Sequence, residues 1–116
     1  MFSHHSSNGY TEILKGLKIK TLCHGPSTLM TEFQLEKDAE LPEHSHPYEQ
    51  TGYLVKGKIR LTIDGVASEL VPGDSWCVLT NVIHRAEILE DSVAIEVFSP
   101  VREDYLPYWS ADDNNH

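Results

Sequence analysis

Basic residues are scarce in this chain: nine lysines and arginines stand against eighteen aspartates and glutamates, a formal charge of −9 at pH 7. Binding a phosphate backbone or an anionic membrane needs clustered Lys and Arg, so this balance argues against nucleic acid or a lipid surface as partner. It also means that any acidic small molecule must be captured by local positive charge against an unfavourable long-range field. Cysteine is scarcer still. Cys23 and Cys77 are too few for a disulfide framework, and reduced thiols are the expectation in a cytosolic chain. No apolar run approaches the ~18 residues of a transmembrane helix. The opening MFSHHSSNGYTEILKG lacks the charged-then-apolar order of a secretory signal, so the cytoplasm is the expected compartment, and His4-His5 reads as a polar arm. Repeats, linkers and low-complexity runs are missing as well. The 116 residues leave room for one domain with a modest core, expected over about residues 17–100, with an N-terminal arm (1–12) and a C-terminal tail (110–116) poorly ordered.

Helical periodicity is also hard to find. Only NGYTEILKG and the tail stretch REDYLPYW hint at short helices. Alternation of period two is plain in TLMTEFQLE, KIRLTIDG and SVAIEVFS, each bounded by Gly, Pro or Asp. Ile59, Leu61 and Ile63 share one face of their strand, with Lys58, Arg60 and Thr62 on the other. Asp64-Gly65 supplies the positive backbone angles of a tight hairpin, and Pro72-Gly73-Asp74 marks a second sharp turn before SWCVL. Many short strands at regular spacing predict an all-β fold, a sandwich or a small barrel. Tyr105, Leu106, Tyr108 and Trp109 are a dense apolar group for a terminus, read as packing over the barrel mouth or against a second subunit.

The polar cluster PEHSHPYEQ precedes the apolar run Tyr53-Leu54-Val55. Alternate residues of a strand share a face, so His44 and His46 would project together, at a spacing that suits two imidazoles on one divalent ion. Gln50, past the bend at Pro47, is placed to swing back and offer an amide oxygen. A further ligand must come from another strand, and His84 in TNVIHRAEI is the remaining histidine with a strand context. Imidazole and amide ligands suit a borderline first-row ion and leave its double charge uncompensated.

These residues resemble the cupin family. Its first motif is a glycine, a His-x-His pair, a glutamate and a closing glycine; His44, His46 and Gly57 fall in register, with Gln50 in the place of the glutamate and Asp38 in that of the first glycine. Gly73 and His84 match the second motif, whereas Leu79, Asn81 and Ile88 stand where proline, glycine and asparagine are usual. The resemblance spans about residues 28–100 and implies a double-stranded β-helix, or jelly-roll, barrel. It also implies one divalent transition metal ion, with nickel, zinc, manganese, iron and copper all compatible, and a homodimer. Replacing the carboxylate by Gln50 removes a negative charge next to the ion, making it a stronger Lewis acid that is held less tightly.

A finer resemblance lies in HSHPYEQTGYLVKG and IEVFSPVRED, similar to the small cupins of pectin and alginate breakdown that open the ring of 4,5-unsaturated uronates. That group holds its metal by three His and one Gln and lines its pocket with an acid, a Phe and an Arg. The matching positions are Glu96, Phe98 and Arg102, with Glu96 standing where the group has aspartate. From the residues alone, Ala94, Glu96 and Phe98 form one face of a strand and Val93, Ile95 and Val97 the other, and either could look inward. Facing inward, Glu96 is a buried acid suited to proton transfer; facing outward it is a surface charge. Arg102 either forks onto a substrate carboxylate or pairs with Glu103 or Asp104. Tyr53, Phe33 and Trp76 are candidates to shape the cavity, each with plain core packing as the alternative. The expected partner is a small sugar-acid-like substrate. A metal-dependent dioxygenase and a non-catalytic small-molecule or sugar-binding module remain as alternatives.

Overall fold

A computed structural model describes residues 1–109. Eight strands follow in order: β1 (Thr11–Leu14), β2 (Leu17–His24), β3 (Leu29–Leu35), β4 (Glu40–His44), β5 (Glu49–Ile63), β6 (Val66–Leu70), β7 (Ser75–Val78) and β8 (His84–Ser99), with a 3-10 turn over Glu103–Tyr108. All strand pairs are antiparallel, in the order β1-β2-β3-β8-β5-β6, with β4 on β8 and β7 on β5. No helix among the described residues is long and apolar enough to cross a membrane. The expected tail at 110–116 lies outside the described residues.

The architecture follows from two long strands, β5 and β8, of 15 and 16 residues. They pair with each other throughout, but their other partners change halfway. The first part of β8 carries β4 and the second β3; the first part of β5 carries β7 and the second β6. The switch falls where the β5–β8 register shifts repeatedly between Leu54 and Ile59. Gly57 sits in this bulged stretch at φ +95°, and a Cβ there would overlap Ser92 Oγ and the backbone at Asp91 and Ser92. Bulges bend strands, so here one sheet folds over on itself into the two-walled barrel expected from the sequence. Leu17, Leu54, Ile59, Leu61, Ala86, Ile88 and Ala94 fill its interior.

The turns form as their residues dictate. Asp64 and Gly65 take φ +49° and +78°, and the register closes at Ile63 against Val66. In the second turn Gly73 takes φ +98°, with the Asp74 side chain accepting from Val71 N at 2.8 Å. The helical hint at NGYTEILKG is corrected: Thr11–Leu14 is a strand that pairs with β2 through a turn at Gly16, φ +79°. Glycines at both ends leave too few residues to pass the nucleation cost of a helix, whereas the neighbouring β2 supplies hydrogen bonds at once. Residues before Thr11 form no regular element, yet Lys20 Nζ donates to the carbonyls of Ser6 and Asn8 at 3.3 and 2.7 Å.

Candidate metal centre

Three histidines meet at one end of the barrel. His44 ends β4, His84 begins β8 directly opposite it, and His46 follows in the connection to β5. Strand alternation therefore does not align His44 with His46; the turn at Ser45–Tyr48 brings the second ring round. The potential ligand atoms of all three lie within 4.8 Å of one another, so the cluster could hold a metal ion.

Each imidazole is oriented by the backbone. Nδ1 of His44 lies 2.8 Å from Pro42 O, that of His46 3.2 Å from Tyr48 O, and that of His84 3.0 Å from Val82 O. With every Nδ1–H donated to a carbonyl, each Nε2 carries a lone pair, the tautomer a metal-bound histidine needs. Burial, with the Arg102 charge as the next cause, lowers the pKa of His46, and burial lowers that of His84 to about 4. Both rings are therefore held neutral, as metal binding requires.

Two observations test the fit of a cation. His84 is 2% exposed, and its Nε2 is buried with no hydrogen-bond partner. An unmet buried polar atom costs about 1–3 kcal/mol. Gln50, buried at the start of β5, donates through its amide nitrogen to Glu96 Oε1, which leaves its Oε1 turned on His46 Nε2 at 2.9 Å. Nitrogen lone pair and amide oxygen are both acceptors. A cation shared by these atoms resolves that conflict and satisfies His84 Nε2 as well, so His44, His46, His84 and Gln50 fit the role of ligands.

Beyond them lies a cavity bordered by Phe33, Trp76, Glu96, Phe98, Arg102 and Tyr105, among others. The even-numbered face of β8 looks inward: Ala94 and Phe98 are buried, and Glu96 stands between them. Desolvation raises the Glu96 pKa to about 7, against the lowering effects of hydrogen bonds from Gln50 and Trp76 and of the Arg102 charge. A carboxyl group so placed exchanges a proton readily near neutral pH. Arg102 follows β8 and stacks over Tyr105, 3.8 Å from guanidinium carbon to ring centroid, with Phe98 at 5.1 Å and Tyr48 at 5.5 Å. Its Nε donates to both oxygens of Asp104, at 3.0 and 3.1 Å, rather than to Glu103. Its terminal nitrogens have no hydrogen-bond partner among the described residues and remain available to an anion.

Tyr53 is a correction. It sits on β5 with the parity opposite to Gln50, 49% exposed on the outer face, and does not border the cavity. Tyr105, expected to pack over the barrel mouth or against a second subunit, packs on the barrel, its ring 5.3 Å from Phe98 and 6.3 Å from Phe33, and is a cavity wall as well. The density of aromatics in the tail was the available signal.

This two-walled antiparallel barrel, with His44, His46 and His84 gathered at one end, belongs to the cupin domain family, which the chain matches over residues 31–99. The chain is a homologue of the pectin degradation protein KdgF of Dickeya dadantii (strain 3937), 30% identical over 99 residues that cover 84% of this chain and 90% of that one. Its fold is similar to that of KdgF from Halomonas sp., with a TM-score of 0.87 and 29% identity over 91% of this chain and all (100%) of that one. An RmlC-like cupin from Shewanella frigidimarina NCIMB 400 is similarly close, at TM-score 0.86 and 32% identity over 90% of this chain and 95% of the other.

Proposed function

We propose that this cupin is a metal-dependent enzyme that opens the ring of 4,5-unsaturated uronates, giving the linear keto acid. The observation that carries the reading is the juxtaposition of a neutral N/O ligand set with an inward carboxyl group at Glu96 and an arginine whose terminal nitrogens have no hydrogen-bond partner among the described residues. Likeness to a pectin degradation protein supports the same substrate class.

In this reading His44, His46, His84 and Gln50 hold one divalent ion, which supplies Lewis acidity toward substrate oxygens. Arg102 takes the substrate carboxylate in a bidentate fork, with Asp104 and the Tyr105 ring fixing the guanidinium plane. Phe33, Phe98 and Tyr105 exclude water from the apolar side. Glu96 moves the proton: water adds across the enol ether with its oxygen on the carbon bearing the ring oxygen and a proton on the neighbouring alkene carbon. Collapse of the hemiketal then breaks the bond to the ring oxygen, which takes up the proton released by the hemiketal hydroxyl; a ketone is left at one end, and the hydrated aldehyde formed at the other loses the added water.

The test is loss of enol ultraviolet absorbance when purified, metal-analysed protein is mixed with unsaturated galacturonate. Glu96→Gln should lower turnover by about 100-fold or more, the scale of general acid–base catalysis, with metal content unchanged. Equal rates for variant and wild type would remove Glu96 from the chemistry. Oxygen uptake with phenols or diketones, and none of the enol loss, would move the protein to the dioxygenases.

A further inference from the structure

Gly52 lies in the interior of β5, where glycine weakens a strand and marks a close approach by another group. It is buried, and its Cα partners are Trp76 on β7 and Glu96 on β8. The three residues thus form one row across three strands, with the glycine in the middle. A Cβ on Gly52 would overlap the Trp76 indole at Cε2, Cζ2 and Nε1. The ring therefore lies across the bare backbone of β5, and Nε1, among the atoms over Gly52, donates to Glu96 Oε1 on the next strand but one at 3.2 Å. The Gln50 amide donates to that same oxygen. Both protein donors to the carboxyl group fall on Oε1, and Oε2 has no hydrogen-bond partner among the described residues.

We propose that Trp76 is a positioning residue for Glu96, able to reach it because position 52 has no side chain, and that it fixes Oε1 so that Oε2 is the oxygen presented to a bound substrate. Trp76 and Glu96 border the same cavity. Gln50 alone would leave the carboxyl group free to turn about a single hydrogen bond. Two donors from different strands, β5 and β7, fix its plane. The proposal rests on the ring-opening role given to Glu96 above, and it adds Gly52 and Trp76 as determinants of that role.

Two variants test it. Trp76→Phe keeps an aromatic ring and removes the donor; Gly52→Ala puts a methyl group in the path of the indole. Each should lower kcat for unsaturated galacturonate by about 10-fold, the range for one hydrogen bond to a charged group, with KM within about twofold and metal stoichiometry unchanged. Trp76→Phe should add nothing further in a Glu96→Gln background, because residues acting through one group are not additive. A second readout needs no substrate. In 15N-labelled, zinc-loaded protein, the indole N–H resonance lost in Trp76→Phe should shift in both Glu96→Gln and Gly52→Ala. An unmoved resonance in Glu96→Gln, or a folded Trp76→Phe with wild-type kcat, overturns the proposal. Wild-type protein that leaves the uronate intact while the resonance still responds overturns the functional reading and the catalytic part of the proposal, and shows the pairing itself to be real.

Discussion

His44 and His84 are Cα partners across β4 and β8, and their ring centroids lie 4.1 Å apart. Two imidazoles on adjoining strands are thus fixed by sheet hydrogen bonds before any ion arrives, and only His46 depends on a turn. His84→Ala should reduce metal affinity by more than the ~10–100-fold typical of residues that merely orient a ligand. Elemental analysis after dialysis checks this, and full stoichiometry in the variant would remove His84 from the ligand set.

Metal removal should destabilise the protein by simple linkage. An ion present at ~100 times its dissociation constant contributes about 2.7 kcal/mol, so chelator-stripped protein should unfold on the order of 10 °C lower, by the scaling of small domains. Readdition of the ion should restore Tm. An identical Tm with and without chelator would argue that the rings hold no ion.

Gln50→Glu exchanges an amide that donates to Glu96 for a second carboxyl group. The added negative charge should tighten metal binding, while the lost donor and the new neighbour disturb Glu96. The expected outcome is retained or increased metal affinity with turnover reduced by about 10-fold or more. Titration calorimetry and steady-state rates on the same preparation separate the two effects.

Arg102→Lys keeps the charge but loses the planar fork and the stacking on Tyr105. Substrate affinity should fall, with kcat/KM lower by about 10- to 100-fold. The loss should lie mainly in KM. A change confined to kcat would place Arg102 in the chemistry instead.

Gly57→Ala tests the bend between the two walls. At φ +95°, with a Cβ overlapping the β8 backbone, the substitution should cost about 1–3 kcal/mol or more. Denaturant unfolding measures this directly; a neutral result would mean that β8 gives way easily at Ser92.

The fold was legible because alternation, turn chemistry and two histidine motifs pointed the same way. The hairpin at Asp64-Gly65 and the bend after Pro72 could be placed from residue types alone. The facing of β8 could not: Val93, Ile95 and Val97 are as apolar as Ala94 and Phe98, so polarity gave no contrast, and the outer three are themselves partly covered. Tyr53 was misplaced for a different reason. Aromatic character suggested the interior, but strand parity with Gln50 already opposed it, and parity won because the backbone of β5 is pinned by β7 and β8 on both sides. The link from Trp76 to Glu96 joins residues distant in sequence and depends on what Gly52 lacks, a signal visible only once the strands are in register.

His84 and Glu96 ride on one unbroken strand, and that strand runs through both walls of the barrel. The two sides of the cavity are consequently stitched by covalent backbone and cannot part along a seam like the halves of a clam. Arg102 and Tyr105, which follow β8, border that same cavity, so substitutions after Ser99 can reshape its lining without disturbing either wall.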